Sequence, residues 1–309
     1  MSYIVSVSPH LHNKVDTKSL MRDVCIAMVP ALIASVILFG FRALLVTAVS
    51  VAAAVLTEFL YQKGTKQAIT IKDWSAVVTG MLLAYNLPVS IPLWQAAFGS
   101  IVAILVVKQL FGGLGRNFAN PAIVGRIVLF LSFSKTMTAW TAPNFAVDAA
   151  STATPLALMA NGGEVPGLLQ MFLGVKGGCL GEVSALALLI GFVYLLVRKV
   201  ITWHTPVAFI GSVFVLSWLL GGDAVYAVNQ ILAGGLILGA VFMATDYATT
   251  PSTNNGRLIF GLGCGLLTVM IRQWGTYYEG VSFAILFMNI LTPYISKWTR
   301  TKPFGGVKA

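Results

Sequence analysis

Charged residues are scarce in this sequence. Of its 309 residues, 10% are Asp, Glu, Lys or Arg, whereas an average soluble domain carries about 25%. Hydrophobic residues make up 57% of the chain, and the mean hydropathy is +0.85. A water-soluble protein of this size has too little polar surface to cover so much apolar side chain. The composition therefore excludes a soluble enzyme, a nucleic-acid-binding module and a disordered chain, and it predicts several membrane spans.

Cysteine and histidine are also rare, with three of each. Cys25, Cys179 and Cys264 lie far apart and form no C-x-x-C pair, so we expect no iron–sulfur or zinc site built by this chain alone. No paired carboxylates occur at helical spacing. The glycine-rich segment 112–115 lacks the strand–turn–helix context of a phosphate-binding loop. The usual constellations of soluble enzymes are therefore missing.

Ten apolar segments have the length of a span or of an interrupted span. They are residues 22–41, 43–61, 74–87, 92–111, 121–133, 179–197, 205–220, 226–245, 258–272 and 280–295. The sequence thus predicts an all-α integral membrane protein with about ten transmembrane helices, some short or broken. We divide it into a cytoplasmic N-terminal segment (1–21), a first five-span unit (22–133), an extracytoplasmic loop (134–178), a second five-span unit (179–296) and a cytoplasmic tail (297–309).

The orientation follows from the basic residues, which collect in the cytoplasmic loops of membrane proteins. The formal net charge is +10. With the N-terminus inside, fifteen Lys and Arg fall on cytoplasmic segments and four fall outside, namely Arg42, Lys135, Lys176 and Arg272. Arg126 lies within the fifth span. Both termini are therefore predicted to be cytoplasmic, and no nucleic-acid partner is needed to explain the basic charge.

The two halves of the chain resemble each other at an offset of about 160 residues. In the first half, a span with Gly80 ends at Asn86-Leu87-Pro88, and a later span ends at Lys108. In the second half, a span with Gly239 ends at Thr245-Asp246, and a later span ends at Arg272. Because each unit has five spans, the second is predicted to be inverted relative to the first. Inverted repeats with interrupted spans place binding sites at the repeat interface.

One stretch of the predicted outer loop, residues 148–156, reads DAASTATPL. The simplest interpretation is a polar loop whose Ser and Thr cap a helix that begins at Pro155, because proline suits the first helical position. A threonine hydroxyl at a helix start is also well placed to hold a phosphate among free backbone amides.

This stretch resembles the site at which flavin transferases attach FMN to threonine through a phosphoester. The pattern is matched by Asp148, Ser151, Ala153 and Thr154, with Ala149 and Thr152 at positions where it usually has glycine. Residues 112–122 and the second-half segments 243–246, 256–257 and 278–286 are similar to signatures of the same family. The family comprises the D subunits of Rnf complexes and the B subunits of sodium-pumping NADH:quinone reductases. The absence of a longer N-terminal extension favours the Rnf D subunits.

The resemblance implies a function. Rnf complexes pass electrons between reduced ferredoxin and NAD and couple this to Na+ or H+ movement across the prokaryotic inner membrane. It implies covalent FMN on Thr154, a non-covalent riboflavin, and contacts with the lipid bilayer. It also implies partnership with the A, B, C, E and G subunits and with a flavin transferase. Asn120, in the first signature, is counted among the flavin contacts. The chain would then be a relay, with the whole complex as the enzyme.

Ionisable residues inside spans are costly and are functional candidates. Asp246, beside Thr245 at the end of the eighth span, is the best candidate for the ion pathway, because freed carbonyls and hydroxyls at a broken helix can coordinate a hard cation. Asp246 could instead pair with Arg257 or cap the helix. Arg126 could pair with a carboxylate or hold a flavin. Glu58 and Glu182 are expected to snorkel to an interface.

Three other functions remain open at this stage. The chain could be the B-type subunit of a sodium-pumping NADH:quinone reductase. It could be a passive channel for a small solute, because Asn120-Pro121-Ala122 is similar to a motif of water channels. Such a channel needs a second copy of the motif in the other half, and Asn254-Asn255-Gly256 does not match it. It could also be a purely structural subunit, which would leave the threonine pattern unexplained. Bound flavin separates these alternatives, because a pore has none.

Overall fold

The structure is a computed structural model that describes residues 16–143, 153–275 and 277–300. Its elements in these ranges are helices joined by turns and loops, so the predicted all-α class is confirmed. The helices of the first half are α1 (Thr17–Phe39), α2 (Phe41–Gly64), α3 (Ser75–Tyr85), α4 (Leu93–Val102, continued by a π-helical segment Ala103–Gln109) and α5 (Pro121–Ser132).

Three short helices follow, in the region predicted to be an outer loop. They are α6 (Ser134–Met137), α7 (Pro155–Ala160) and α8 (Leu168–Leu173). The helices of the second half are α9 (Ala185–Val197), α10 (His204–Gly221), α11 (Ala224–Leu232), α12 (Leu236–Leu238, continued by a π-helical segment Gly239–Met243), α13 (Asn254–Trp274) and α14 (Val281–Trp298).

Four of the described helices are long and apolar enough to cross a membrane: α1, α2, α10 and α13. A fifth span is added if α11 and the continuous segment Leu236–Met243, which are bent by 67° at a short break, count as one. The helices α3, α5 and α9 and the continuous segment Leu93–Gln109 are apolar but shorter. Large apolar side chains such as Ile37, Leu60 and Leu219 are exposed, as expected of surfaces that face lipid.

Local sequence signals set the helix ends. Asp16 caps α1 by accepting a hydrogen bond from Thr17 N at 2.7 Å, and Ser19 Oγ accepts from Asp16 N in return. Gly40, at φ +75°, separates α1 from α2, a conformation that glycine adopts without steric cost. Asn120 caps α5, whose first residue is Pro121.

The two halves pack into one core. α1 packs against α9, and α5 packs against α14, so each half contributes helices to the interface. The loop before α9 also enters the first half: Leu180 N and Gly181 N donate to Leu87 O and Tyr85 O, at 2.9 and 3.0 Å. A Cβ at Gly181 would lie 2.2 Å from Tyr85 Cγ. Only glycine fits there, and this close approach fixes the loop that carries Lys176, Cys179 and Glu182.

Candidate functional site

Thr154 is the N-cap of α7, as the sequence predicts. Its Oγ1 accepts a hydrogen bond from Ala157 N at 3.3 Å, and Pro155 is the first helical residue. The side chain is 7% exposed, and Ala153 is exposed. Among the described residues the hydroxyl hydrogen of Thr154 has no acceptor. Asp148 and Ser151 lie outside the described residues.

A small apolar patch joins α7 to α8 and to the break between α11 and α12. Leu156 packs with Met171 of α8 and with Ala233 in the break between α11 and α12, and Tyr278 covers them. The end of the Leu156 side chain lies 2.8 Å from the position that a Cβ would take on Gly234. The contact of Leu156 therefore anchors α7, which begins directly after Thr154, at the break between α11 and α12.

Six buried or half-buried ionisable residues lie around this break, and we call them the charge cluster. They are Arg126, Lys176, Cys179, Glu182, Arg272 and Glu279. Arg126 forms an ion pair with Glu279 and donates to Ser282 Oγ at 2.6 Å. Glu182 Oε1 accepts from Cys179 N at 3.0 Å. Arg126 thus pairs with a carboxylate, one of the two roles that the sequence leaves open.

The other two cations of the charge cluster hold the end of α11. Lys176 Nζ donates to Leu232 O, and Arg272 donates to Gln230 O at 2.5 Å and to Ala233 O at 3.1 Å. Cations are favoured at a helix C-terminus, where carbonyl groups have no helical partner. On the far side of the break, Glu182 Oε2 approaches Gly235, at the start of α12. It lies 2.9 Å from the point that a Cβ would occupy on this glycine. Burial lowers the pKa of Lys176 to about 8.

Cys179 Sγ and carboxylate oxygens of Glu182 and Glu279 lie within 4.8 Å of one another. Such a trio has the ligand types of a metal site. Arg126 stands beside it, with Nη2 at 3.9 Å from Cys179 Sγ and in the ion pair with Glu279. The guanidinium therefore already supplies the positive charge that the carboxylates require, and the trio is part of an ionic network.

Three predicted residues meet at a second pocket, which residues of both halves of the chain line. Asn120, Thr245 and Asp246 line it together with Asn117, Lys108 and apolar side chains of α1, α3 and α9, around a partly open cavity of about 80 Å³. Asn120 Nδ2 donates to Met243 O at 3.3 Å, at the end of the π-helical segment. The structure thus brings Asn120 and Asp246 together, and it places Arg126 and Thr154 elsewhere.

Asp246 is held by local hydrogen bonds. Its carboxylate accepts from Ala248 N at 3.4 Å and from Thr249 Oγ1 at 3.1 Å. Arg257, the alternative partner considered from the sequence, donates instead to Pro251 O and to Thr202 Oγ1. The described residues therefore give Asp246 no cationic partner, and its negative charge faces the pocket.

Glu58 is the clearest departure from the sequence expectation. The sequence predicts that it snorkels to an interface, yet it is 1% exposed and forms an ion pair with Lys108 at 2.8 Å. Lys108 also donates to Ser75 Oγ, at the first residue of α3, at 2.6 Å. Glu182 is buried as well. Sequence reasoning misses these pairings because a cation at the end of one span gives no sign of which distant carboxylate it meets.

Removal of the Glu58 charge is expected to destabilise the protein more than removal of a half-exposed pair. Glu58→Gln leaves Lys108 buried without its counter-charge, which costs about 3–5 kcal/mol. The matched variant is Asp23→Asn, because the partner of Asp23, Arg198, is 52% exposed and can be hydrated. Thermal unfolding in detergent should show a much larger drop in Tm for Glu58→Gln. Equal drops would contradict the assignment of a buried, energetically important pair.

Comparison with known proteins gives the family. The chain matches the NQR2, RnfD, RnfE family over residues 4–305. It is 46% identical, over 100% of its length and 97% of the relative, to the D subunit of the Na(+)-translocating ferredoxin:NAD(+) oxidoreductase complex of Acetobacterium woodii. Identity is 41%, over 98% of this chain and 96% of the relative, to the D subunit of the proton-translocating ferredoxin:NAD(+) oxidoreductase complex of Clostridium ljungdahlii.

A third relative is more distant. The D subunit of the ion-translocating oxidoreductase complex of Escherichia coli is 35% identical, over 99% of this chain and 99% of the relative. The matches extend along the whole chain and include both halves and the segment with Thr154. They confirm the resemblance that the sequence motifs indicate: this chain belongs to the NQR2, RnfD, RnfE family.

Proposed function

We propose that this chain is the D subunit of an ion-translocating ferredoxin:NAD+ oxidoreductase complex of the Rnf type. The observation that carries the proposal is full-length identity of 41–46% to D subunits of two ferredoxin:NAD(+) oxidoreductase complexes, and of 35% to the D subunit of an ion-translocating oxidoreductase complex. Because these relatives are named as subunits of an oxidoreductase complex, the proposed redox enzyme is the assembled complex, in which this chain relays electrons and contributes to the ion pathway. The A, B, C, E and G subunits are its proposed partners.

We propose that FMN is attached to Thr154 through its phosphate. The residues present fit such a group: the Thr154 hydroxyl accepts one backbone hydrogen bond and keeps its own hydrogen free among the described residues. The side chains of Leu156 and Tyr278 offer apolar contact, and the charge cluster lies below. When bound, FMN supplies reversible uptake of electrons. The chain itself positions the group over the break between α11 and α12.

A second, non-covalent flavin is proposed for the pocket of Asn120 and Asp246. Amide and carboxylate groups on one wall can bind the polar edge of a flavin ring, while Val24, Leu82 and Phe242 provide apolar walls for its faces. These groups suit riboflavin chemically, and the walls would have to move apart to admit its ring, because the cavity is about 80 Å³.

The ten-span arrangement in two inverted repeats is also part of the proposal. Ten helical elements occur in the order of the ten apolar segments, although only four or five satisfy the length and composition of a span. The cations at the ends of the fourth and ninth segments play parallel parts: Lys108 donates to the first residue of α3, and Arg272 donates at the break before α12. We propose cytoplasmic termini and an outer position for Thr154, in a prokaryotic inner membrane, with the domain boundaries given above.

The mass of the intact purified chain tests the proposed cofactor. Formation of a phosphodiester between FMN and Thr154 adds the mass of FMN less one water. We expect this increase on a peptide that contains Thr154 after proteolysis of the chain taken from the native membrane. An unmodified mass in a complex that transfers electrons would contradict the attachment of FMN to Thr154. The proposal that the chain is a subunit of the complex would be unaffected.

A further inference from the structure

The charge cluster contains more cationic than anionic groups. Arg126, Lys176 and Arg272 are each at most 7% exposed, and they face two carboxylates, Glu182 and Glu279. Of these three cations, Arg126 alone forms an ion pair with a carboxylate of the described ranges. Lys176 and Arg272 donate to carbonyl oxygens of the helix break and to Gln230 Oε1, and Arg272 Nε is buried without an acceptor.

Such an arrangement is costly for a protein that needs only a stable fold. A buried cation without an ionic partner loses several kcal/mol of hydration, and an apolar residue of similar volume would pack there at a lower cost. The carbonyl groups at the end of α11 supply only about half of one negative charge. The described part of the cluster therefore keeps a residual positive charge in an apolar environment, where it acts over a longer range than in water.

This positive charge lies next to α7. Leu156 Cδ1 and Arg272 Nη2 are close neighbours at Gly234. They lie 2.8 and 3.3 Å from the point that a Cβ would occupy on this glycine. Lys176 binds Leu232 O, and Leu232 packs with Leu156, Met171 and Ala233. A group attached to Thr154 thus begins two residues from Leu156, whose apolar patch lies beside Arg272 and includes Leu232, the residue that Lys176 binds.

We propose that Lys176 and Arg272 set the reduction potential of the flavin on Thr154, by stabilising its reduced, negatively charged ring. This inference rests on the proposed attachment of FMN to Thr154. Uptake of two electrons and one proton by a neutral flavin ring leaves one negative charge on it. The electrons come from a one-electron redox centre of another subunit, and the proton comes from solvent. A positive charge behind the apolar patch lowers the energy of the reduced ring relative to the oxidised one.

The proposal predicts opposite shifts for opposite charge changes. Lys176→Gln removes a positive charge and should lower the flavin potential, while Glu182→Gln removes a negative charge from the same cluster and should raise it. We expect about a tenfold change in the equilibrium between oxidised and reduced flavin, or 59 mV for a one-electron couple and 29.6 mV for a two-electron couple. Lys176→Arg should restore the wild-type value.

The measurement is a redox titration of visible absorption in the purified complex. The component due to Thr154 is the one missing from the Thr154→Val complex, which separates it from other flavins. Lys135→Gln is the control, because Lys135 is an exposed cation on α6 and its charge is screened by water and salt. In-gel fluorescence of the denatured chain reports how much flavin is attached in each variant.

Each outcome decides something different. Unchanged potentials in both variants, or shifts of the same sign, would overturn the proposal. Loss of attached flavin in Lys176→Gln, with no shift in the remainder, would overturn it in favour of a role for Lys176 in attachment of the phosphate. If Thr154→Val removes no component from the titration, the attachment to Thr154 is wrong. That result refutes the proposed function of Thr154 and is distinguishable from failure of the electrostatic proposal.

Discussion

The Thr154→Val variant is expected to lose its covalent flavin completely. Valine has the shape of threonine but no hydroxyl group, so no phosphoester can form. The structure limits the side effect: the lost contact is a single cap hydrogen bond of 3.3 Å to Ala157 N, which is worth about 1 kcal/mol. In-gel fluorescence of the denatured chain should vanish, and electron transfer through the complex should fall more than tenfold.

The control for this variant is Thr253→Val. Thr253 caps α13 through a hydrogen bond from Gly256 N at 3.1 Å, so its replacement removes the same kind of cap without touching α7. Fluorescence should persist in Thr253→Val and, at least in part, in Thr154→Ser, whose hydroxyl can still accept the phosphate. Fluorescence that survives in Thr154→Val would move the attachment to another residue.

The second large effect is expected for Asp246→Asn. Ala248 N, which donates to Oδ1, can donate to the amide oxygen of Asn instead, and the amide NH2 at the Oδ2 position can donate to Thr249 Oγ1, because a hydroxyl oxygen also accepts. The fold and the attached flavin should therefore survive, while the negative charge that faces the pocket is lost. We expect the number of ions moved per electron to fall severalfold in reconstituted vesicles, with a smaller decrease in electron flow itself.

Asp223→Asn gives the matched comparison. Asp223 caps α11 by accepting from Val225 N at 3.0 Å and is exposed, so this variant removes one carboxylate charge away from the pocket. Its ratio of ions to electrons should equal that of the wild type. A wild-type ratio in Asp246→Asn as well would show that Asp246 only organises the turn after the π-helical segment.

Local features of the fold are predictable from the sequence, and pairings between distant residues are not. The N-cap at Thr154, the helix start at Pro155 and the ten apolar segments all follow from short-range patterns. In contrast, the Arg126–Glu279 pair joins residues 153 positions apart. Nothing in the sequence around Arg126 distinguishes Glu279 from the other nine acidic residues.

The basic residues assigned to extracytoplasmic segments also make contacts that the sequence does not predict. In the orientation argument, Arg42, Lys176 and Arg272 count as loop charges. In the structure each of them donates to backbone carbonyls, Arg42 to Val89 O and the other two at the break between α11 and α12. Charge counting gives no sign of these contacts, because free carbonyls arise only where a helix ends in three dimensions.

The ion pair between α5 and the loop before α14 has a consequence for biogenesis. α5 has 12 residues, about 18 Å of helix at 1.5 Å per residue, and an arginine at a helix centre opposes insertion by roughly 2.5 kcal/mol. Its counter-charge is synthesised 153 residues later, which takes roughly 8–30 s at about 5–20 residues per second. During that interval α5 lacks both the length and the neutral charge of a stable span. In the proposed ten-span arrangement we therefore expect α5 to reach its final depth only after translation has delivered α14, so that the order of insertion into the bilayer differs from the order of the chain.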